Sequence, residues 1–451
     1  MRTKGWIGKW WLMAVAFMFV TLAAGLSAWA QNEIKVGVIG PMKFAYGSHM
    51  GYGAEMAAEK INAAGGITVQ GKKYKVVLHK ADDNAFLSTP DAVSAMERLA
   101  TVQKVKFVLG GFKTESVLAQ QEVMADNKII FLGVGSAHEE QCLKVARDYN
   151  RYKYWFRVGP INSVEQVKQY FSATGPIIRE LKNKLGITKP RIALLIDKAQ
   201  WADPLAALGQ KLFPQMGCEV VGTWRPSFTA TSVAAELSAI KSANAHIVFV
   251  ASAGPAGNVI SKQWGELKIP AAMAGVNVEG TRDTHWKGTD GYCNYMVTSG
   301  ASPQVESTPK TIPFLVEFAK RYKESPIYTG SGAYDALYVL KEAIERADSL
   351  DVEAVVPALE KTNSVGTLFK VAFTPLSHKT PHDVIAGPQN GISFGVQWRD
   401  GKQYAVWPDG HEIPPAIIAM GAPKGWDKVK FKGTKDYVLP PWVIEYWKGK
   451  K

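Results

Sequence analysis

The chain has 451 residues, of which 47% are hydrophobic and 21% charged, with a formal net charge of +13 and 3 cysteines. This balance excludes a disordered or fibrous chain and leaves length for two or three domain-sized cores. The positive charge is spread except in the tail from Gly421, where Lys residues outnumber Asp427, Asp436 and Glu445. Without a recognisable motif on a basic stripe, no nucleic-acid partner is expected, and the lysines read as solvated surface.

Residues 1–30 place Arg2, Lys4 and Lys9 before an apolar run that ends in Ala28-Trp29-Ala30. A basic start, a hydrophobic centre and small residues at a cleavage point describe a secretory signal peptide, cut after Ala30. A transmembrane anchor would need about 20 apolar residues and no cleavage signal. No cysteine follows the small residues, so a lipid anchor is not expected. In an exported protein, Cys142, Cys218 and Cys293 allow at most one internal disulfide, whose pairing the spacing leaves open.

After the leader, strand-like and helical patterns alternate. "IKVGVIG" reads as a strand, and "AAEKINAAGGI" as a helix. Met50, Ala54, Ala57, Ala58 and Ile61 share one face of that helix, and Gly65 and Gly66 can take the left-handed conformation that ends it. "KYKVVLHKADD" is the next strand, completing a β-α-β unit. Strands follow at "KFVLGG", "KIIFLGVG", "RIALLID", "CEVVGTW", "HIVFVA" and "AAMAGVN". Amphipathic stretches such as "DAVSAMERLATV", "VEQVKQYFSATGPIIRELKNKL" and "SVAAELSAIKSA" lie between them. Apolar strands alternating with helices predict parallel sheets covered on both faces, here in two runs that divide near "YWFRVGP". Ligands of such sheets bind beyond the carboxyl ends of the strands, which points to the loops "GPMKFAYG", "GGFKTES", "GVGSAHEE", "DKAQWADP", "ASAGPAG" and "GVNVEG".

Catalytic and cofactor signatures fail. "GVGSAH", "GYGAEM" and "GSGAYD" lack the third glycine of a dinucleotide loop and read as tight turns. Neither a GxxxxGK[ST] loop nor a GxSxG elbow occurs. His138 with Cys142, and His378 with His382, are four apart but lack further ligands in register, and Pro381 interrupts the second pair. They read as surface or loop histidines. Neither an enzyme nor a cofactor is expected.

The segments "AAEKINAAGGI", "ADDN", "KFVLGG", "KIIFLGVGSA", "AYDALYVLKEAIERA" and "FGVQW", in this order, resemble type I periplasmic binding proteins. The resemblance is to the branched-chain (hydrophobic) amino-acid-binding branch of ABC importers, and runs to about Trp398. It implies an α/β fold of two Rossmann-like doubly wound lobes joined by three hinge crossovers, closing on a small molecule. It places residues 31–157 and 298–373 in the N-terminal lobe, and residues 158–297 and 374–451, with the basic tail, in the C-terminal lobe. It further implies a periplasmic monomer that captures a branched-chain or other hydrophobic amino acid, or a similar small ligand, and serves an ABC permease in the inner membrane. An amide or aromatic acid as ligand, or a ligand-sensing receptor on the same fold, are the alternatives.

By the same resemblance, Tyr46 borders the cleft from the first loop, while Thr114, Ser116, Ser136 and Ala137 grip the ligand's carboxylate and part of its ammonium. Hydroxyls and free N–H groups at a helix start suit an anion, although ordinary N-capping would use the same residues. Trp201 takes the place of the second-lobe aromatic lid, and Glu279, or Asn277 if the register shifts, that of the acid pairing the ammonium. Three departures bear on the ligand. Ala253, Gly254 and Pro255 stand where aromatics are usual. Glu115 lies between two of the gripping hydroxyls, and Glu139 and Glu140 follow the second loop. Acids there would repel a carboxylate by like charge.

Overall fold

A computed structural model describes residues 32–301, 305–387, 390–420, 422 and 429–450. The leader with its cleavage point, and Trp426, lie outside the described residues. A first sheet contains β1 (Glu33–Gly40), β2 (Ile67–Val69), β3 (Lys72–Asp82), β4 (Phe107–Gly110), β5 (Ile130–Gly133) and β6 (Trp155–Arg157) in the order β2-β3-β1-β4-β5-β6. All its pairings are parallel except β2 with β3. A second, wholly parallel sheet has the order β10-β9-β7-β8, from β7 (Arg191–Ile196), β8 (Glu219–Trp224), β9 (Ile247–Ser252) and β10 (Ala272–Asn277). The middle strands are buried throughout, as helices on both faces of a parallel sheet require.

Beside β10 runs β11 (Val297–Ala301), which with β14 (Phe394–Arg399) and β15 (Lys402–Trp407) forms an antiparallel sheet in the order β11-β14-β15. From β11 the chain enters helices Thr311–Tyr322 and Tyr328–Ala347, the second of which packs on helix Ala45–Ala63 beside the first sheet. It returns through the hairpin of β12 (Asn363–Val365) and β13 (Lys370–Ala372) to β14. The chain therefore passes between the two doubly wound layers three times, after β6, at β11 and after β13. The α/β architecture is the one the strand–helix alternation predicts.

Helix Ala45–Ala63 closes as its sequence indicates. Gly65 and Gly66 have φ of 99° and 85°, and the Gly66 N–H bonds the Ile61 carbonyl at 2.8 Å. A Cβ on Gly66 would collide with the Tyr74 carbonyl of β3, so the turn into β2 needs glycine. One expectation is corrected. "GYGAEM" and "GSGAYD" are not turns but lie inside helices Ala45–Ala63 and Tyr328–Ala347. Their glycines serve a helix crossing, because a Cβ on Gly53 would strike the Gly330 carbonyl. The long amphipathic stretch after β6 is two helices, Ser163–Ser172 and Gly175–Leu185, since Pro176 cannot continue the first but suits the opening turn of the second. His382 is not at the surface. It is 1% exposed, stacks on Phe156 and bonds Trp155 O at 2.9 Å and Glu360 at 3.0 Å.

All three cysteines are free and buried, so no disulfide forms. The tail is not simply solvated. Helix Pro441–Lys448 docks on the second layer, with Trp442 Nε1 donating to Ile269 O at 3.0 Å and Trp447 Nε1 to Pro270 O at 2.6 Å.

Candidate ligand-binding cleft

Parallel strands end together, so the loops after β4, β5, β7, β9 and β10 gather between the two layers. They enclose a cavity with about 1120 Å³ of empty space, measured out to its open mouth. Phe112, Trp201, Phe228, Tyr328, Phe369 and Phe394 supply its aromatic wall. The two layers touch around it. Phe86 meets Phe228 with ring centroids 5.2 Å apart, and the Ser325 N–H donates to Asp283 at 2.8 Å.

Of the residues the resemblance singled out, Thr114, Ala137 and Trp201 line this cavity. Thr114 is the first residue of helix Thr114–Asn127, whose end is uncapped by any side chain. Its hydroxyl lies 3.2 Å from that of Ser136, which in turn accepts from Gln141 Nε2 at 2.5 Å. Ser136 is thus a support for Thr114 just behind the wall. Ser116 turns away, its hydroxyl nearest the Ala85 carbonyl at 3.5 Å. Neither Thr114 nor Ser116 acts as an N-cap. The 135–138 loop is held from beneath by buried Arg157, which donates to the carbonyls of Ser136 and His138 and pairs with Asp383 at 2.7 Å.

Tyr46 and Glu279 meet each other. Tyr46, in the first turn of its helix, is fully buried against Phe112 and Phe86, and donates its hydroxyl to Glu279 Oε1 at 2.5 Å. Glu279 Oε2 accepts from Asn258 at 3.1 Å and from Arg282 at 3.0 Å. Burial, with Glu279 beside it, pushes the Tyr46 hydroxyl well above its ordinary pKa. The pair spans the two layers, with Tyr46 against the first sheet and Glu279 beyond the end of β10. Asn277 is occupied with Gly257 O and Ser261, both at 2.8 Å.

The acids that would repel a carboxylate are tied up. Glu115 accepts from the Gln200 N–H at 3.3 Å, Glu139 pairs with Lys379 at 3.2 Å, and Glu140 pairs with Arg147. None of the three lines the cavity. The aromatic missing at Ala253-Gly254 is supplied by Phe228, from the loop after β8, whose ring packs on Gly254. Sequence reading also passed over Lys113, beside Thr114, which lines the cavity and has no ion-pair partner among the described residues. It passed over Asp335 too, held by the Thr367 N–H at 2.8 Å, whose burial pushes its pKa up to about 7. Phe112 and Lys113 sit inside the flagged loop "GGFKTES". For Phe228, Tyr328 and Phe369 there was no local signal, because they reach the cleft only through packing.

With two layers closing over an apolar cleft, the fold and site define a solute-binding protein. The chain matches the periplasmic binding protein family over residues 33–390, and so belongs to it. It is 23% identical over 419 residues to Leu/Ile/Val-binding protein homolog 7 of Brucella abortus, covering 88% of this chain and 97% of that protein. A branched-chain amino acid transporter substrate binding protein from Streptococcus pneumoniae, in complex with isoleucine, superposes with TM-score 0.68 at 20% identity, over 82% of this chain and 98% of that one. A solute binding protein of an ABC transporter from Rhodopseudomonas palustris, in complex with 3,4-dihydroxybenzoic acid, gives 0.65 at 19% identity, over 91% and 99%. This chain is a substrate-binding protein of the ABC-transporter kind, and its family is extracytoplasmic.

Proposed function

We propose that the protein captures a small ligand with an apolar body and a carboxylate head, and delivers it to an ABC permease. The reading rests chiefly on one observation: an aromatic-walled cleft lined by the cation Lys113, which has no ion-pair partner among the described residues, beside the helix start at Thr114, while the other charged lining group, Asp335, is held by Thr367. Free N–H groups and a cation there favour an anionic head. A hydrophobic amino acid and an amine-free apolar or aromatic acid both meet this description. The engagement of both Glu279 oxygens, by Tyr46 and by Asn258 with Arg282, favours the amine-free acid, since an ammonium would have to displace those partners. The Thr114 hydroxyl pairs with that of Ser136, and Ser136 with the Gln141 amide, rather than with a base, which supports binding rather than catalysis.

In this reading, residues 31–157 with 298–373 and residues 158–297 with 374–451 are the two lobes. The protein works as a periplasmic monomer with its leader removed after Ala30. Thr114, Ala137 and Trp201 touch the ligand directly, while Ser116, Ser136, Tyr46 and Glu279 shape the cleft around it. Mass spectrometry of ligand retained by the exported protein, followed by calorimetry, tests the proposal. A carboxylate should bind and its methyl ester should not; equal binding of both would refute the anionic head. N-terminal sequencing checks the cleavage point.

A further inference from the structure

Three further polar residues line the cavity, each from a different element. Gln166 comes from helix Ser163–Ser172, Ser299 from β11, and Ser331 from the first turn of helix Tyr328–Ala347. All three line the cavity and are at least nine-tenths buried, at 4%, 1% and 1% exposure. Yet Gln166 Oε1, Ser299 Oγ and Ser331 Oγ have no hydrogen-bond partner among the described residues. Their neighbours differ. On β11, Thr298 alternates with Ser299 and spends its hydroxyl on Asn277, at 2.9 Å to the N–H and 2.8 Å to the carbonyl. One turn beyond Ser331, Asp335 is engaged by Thr367.

Buried polar atoms are nearly always bonded, and leaving one unmatched is costly. These three orphans come from three separate elements, with Trp201 Nε1 a fourth in the cavity lining, and are not explained by the folding of any single element. Their chemistry is specific: an amide oxygen that only accepts, and two hydroxyls that can donate or accept, without a charge. A hydroxyl, which both donates and accepts, can give its proton to Gln166 Oε1 and accept from either serine.

We propose that Gln166, Ser299 and Ser331 form a second polar subsite, which takes a hydroxyl carried by the ligand in addition to its anionic head. The preferred ligand is then a hydroxylated apolar acid. This rests on the reading that the ligand occupies this cleft, but not on which form of acid it is.

Calorimetry on the full mature chain with two matched pairs, benzoate with 4-hydroxybenzoate and phenylalanine with tyrosine, tests it. The hydroxylated member of at least one pair should bind about tenfold or more tighter than its parent. Ser331→Ala and Gln166→Leu should narrow that gap while sparing the parent's affinity. Ser299→Ala provides the same comparison should either variant fail to fold. Equal affinities within both pairs, or variants that weaken both members alike, would overturn the subsite. Preference for tyrosine over phenylalanine with neither benzoate bound would keep the subsite and refute the amine-free reading. Benzoate bound without any hydroxyl preference would do the reverse, and silence from all four probes would overturn both.

Discussion

Replacing Tyr46 by Phe removes one oxygen and leaves the ring in place against Phe86 and Phe112. What is lost is the 2.5 Å bond to Glu279, which joins the first layer to the second. Arg282 and Asn258 continue to hold Glu279 Oε2, so the damage is confined to Oε1. A hydrogen bond to a charged group is worth about 1.5–3 kcal/mol. If that bond exists only when the lobes are closed, the open form gains by the same amount, about 10- to 150-fold in population ratio. A ligand that binds only the closed form should lose affinity by up to that factor. Because the Tyr46 pKa lies well above its ordinary value, the hydroxyl remains a donor through neutral pH and the loss should not vary there. Calorimetry with the retained ligand reads the affinity, and small-angle scattering of the ligand-free protein reads the shift towards an open form. Wild-type affinity together with unchanged scattering would refute the idea that this pair latches the lobes.

Trp201→Ala removes part of the aromatic wall; a buried aromatic covers about 150–250 Å², so affinity should fall about tenfold or more while the far-UV spectrum and melting point hold. Trp447→Ala should do the opposite, lowering Tm by several degrees through a core loss of about 3–5 kcal/mol while calorimetry finds ligand affinity nearly unchanged. The third prediction concerns pH. Asp335 and Asp197 have folded-state pKa values raised to about 7 by burial, above the ordinary carboxylate value of 3.8, so the folded protein binds more protons than the unfolded chain between those limits. Their stabilising contribution is complete below pH 3.8 and is lost as pH rises through 7. Melting curves of Asp335→Asn should therefore show a shallower fall in stability over that range than wild type, and an unchanged slope would place its titration elsewhere.

The alternation of strands and helices, the glycine stop after Ile61 and the division near "YWFRVGP" were legible because each is a local matter. Periodicity records which faces are buried, and a left-handed turn favours glycine wherever it occurs. The order of these segments was also enough to indicate the family. The loops that hold Thr114, Ala137 and Trp201 could be placed near the cleft because parallel strands end on one side, while the residues themselves came from the family resemblance. The rest required the folded chain. Tyr46 and Glu279 are 233 residues apart, and nothing near either one indicates that they satisfy each other. Gly53 and Gly330 resembled turn glycines because a helix crossing and a tight turn ask for the same missing side chain. His382 read as a surface or loop histidine, and that it is a loop residue buried against Phe156 and Glu360 appears only in the fold. The tail looked solvated because its described lysines are exposed, while Trp442 and Trp447 among them anchor it. Local sequence carries backbone preference and burial periodicity; which polar groups find partners across distant segments, and which remain free to meet a ligand, is decided only when the two layers come together.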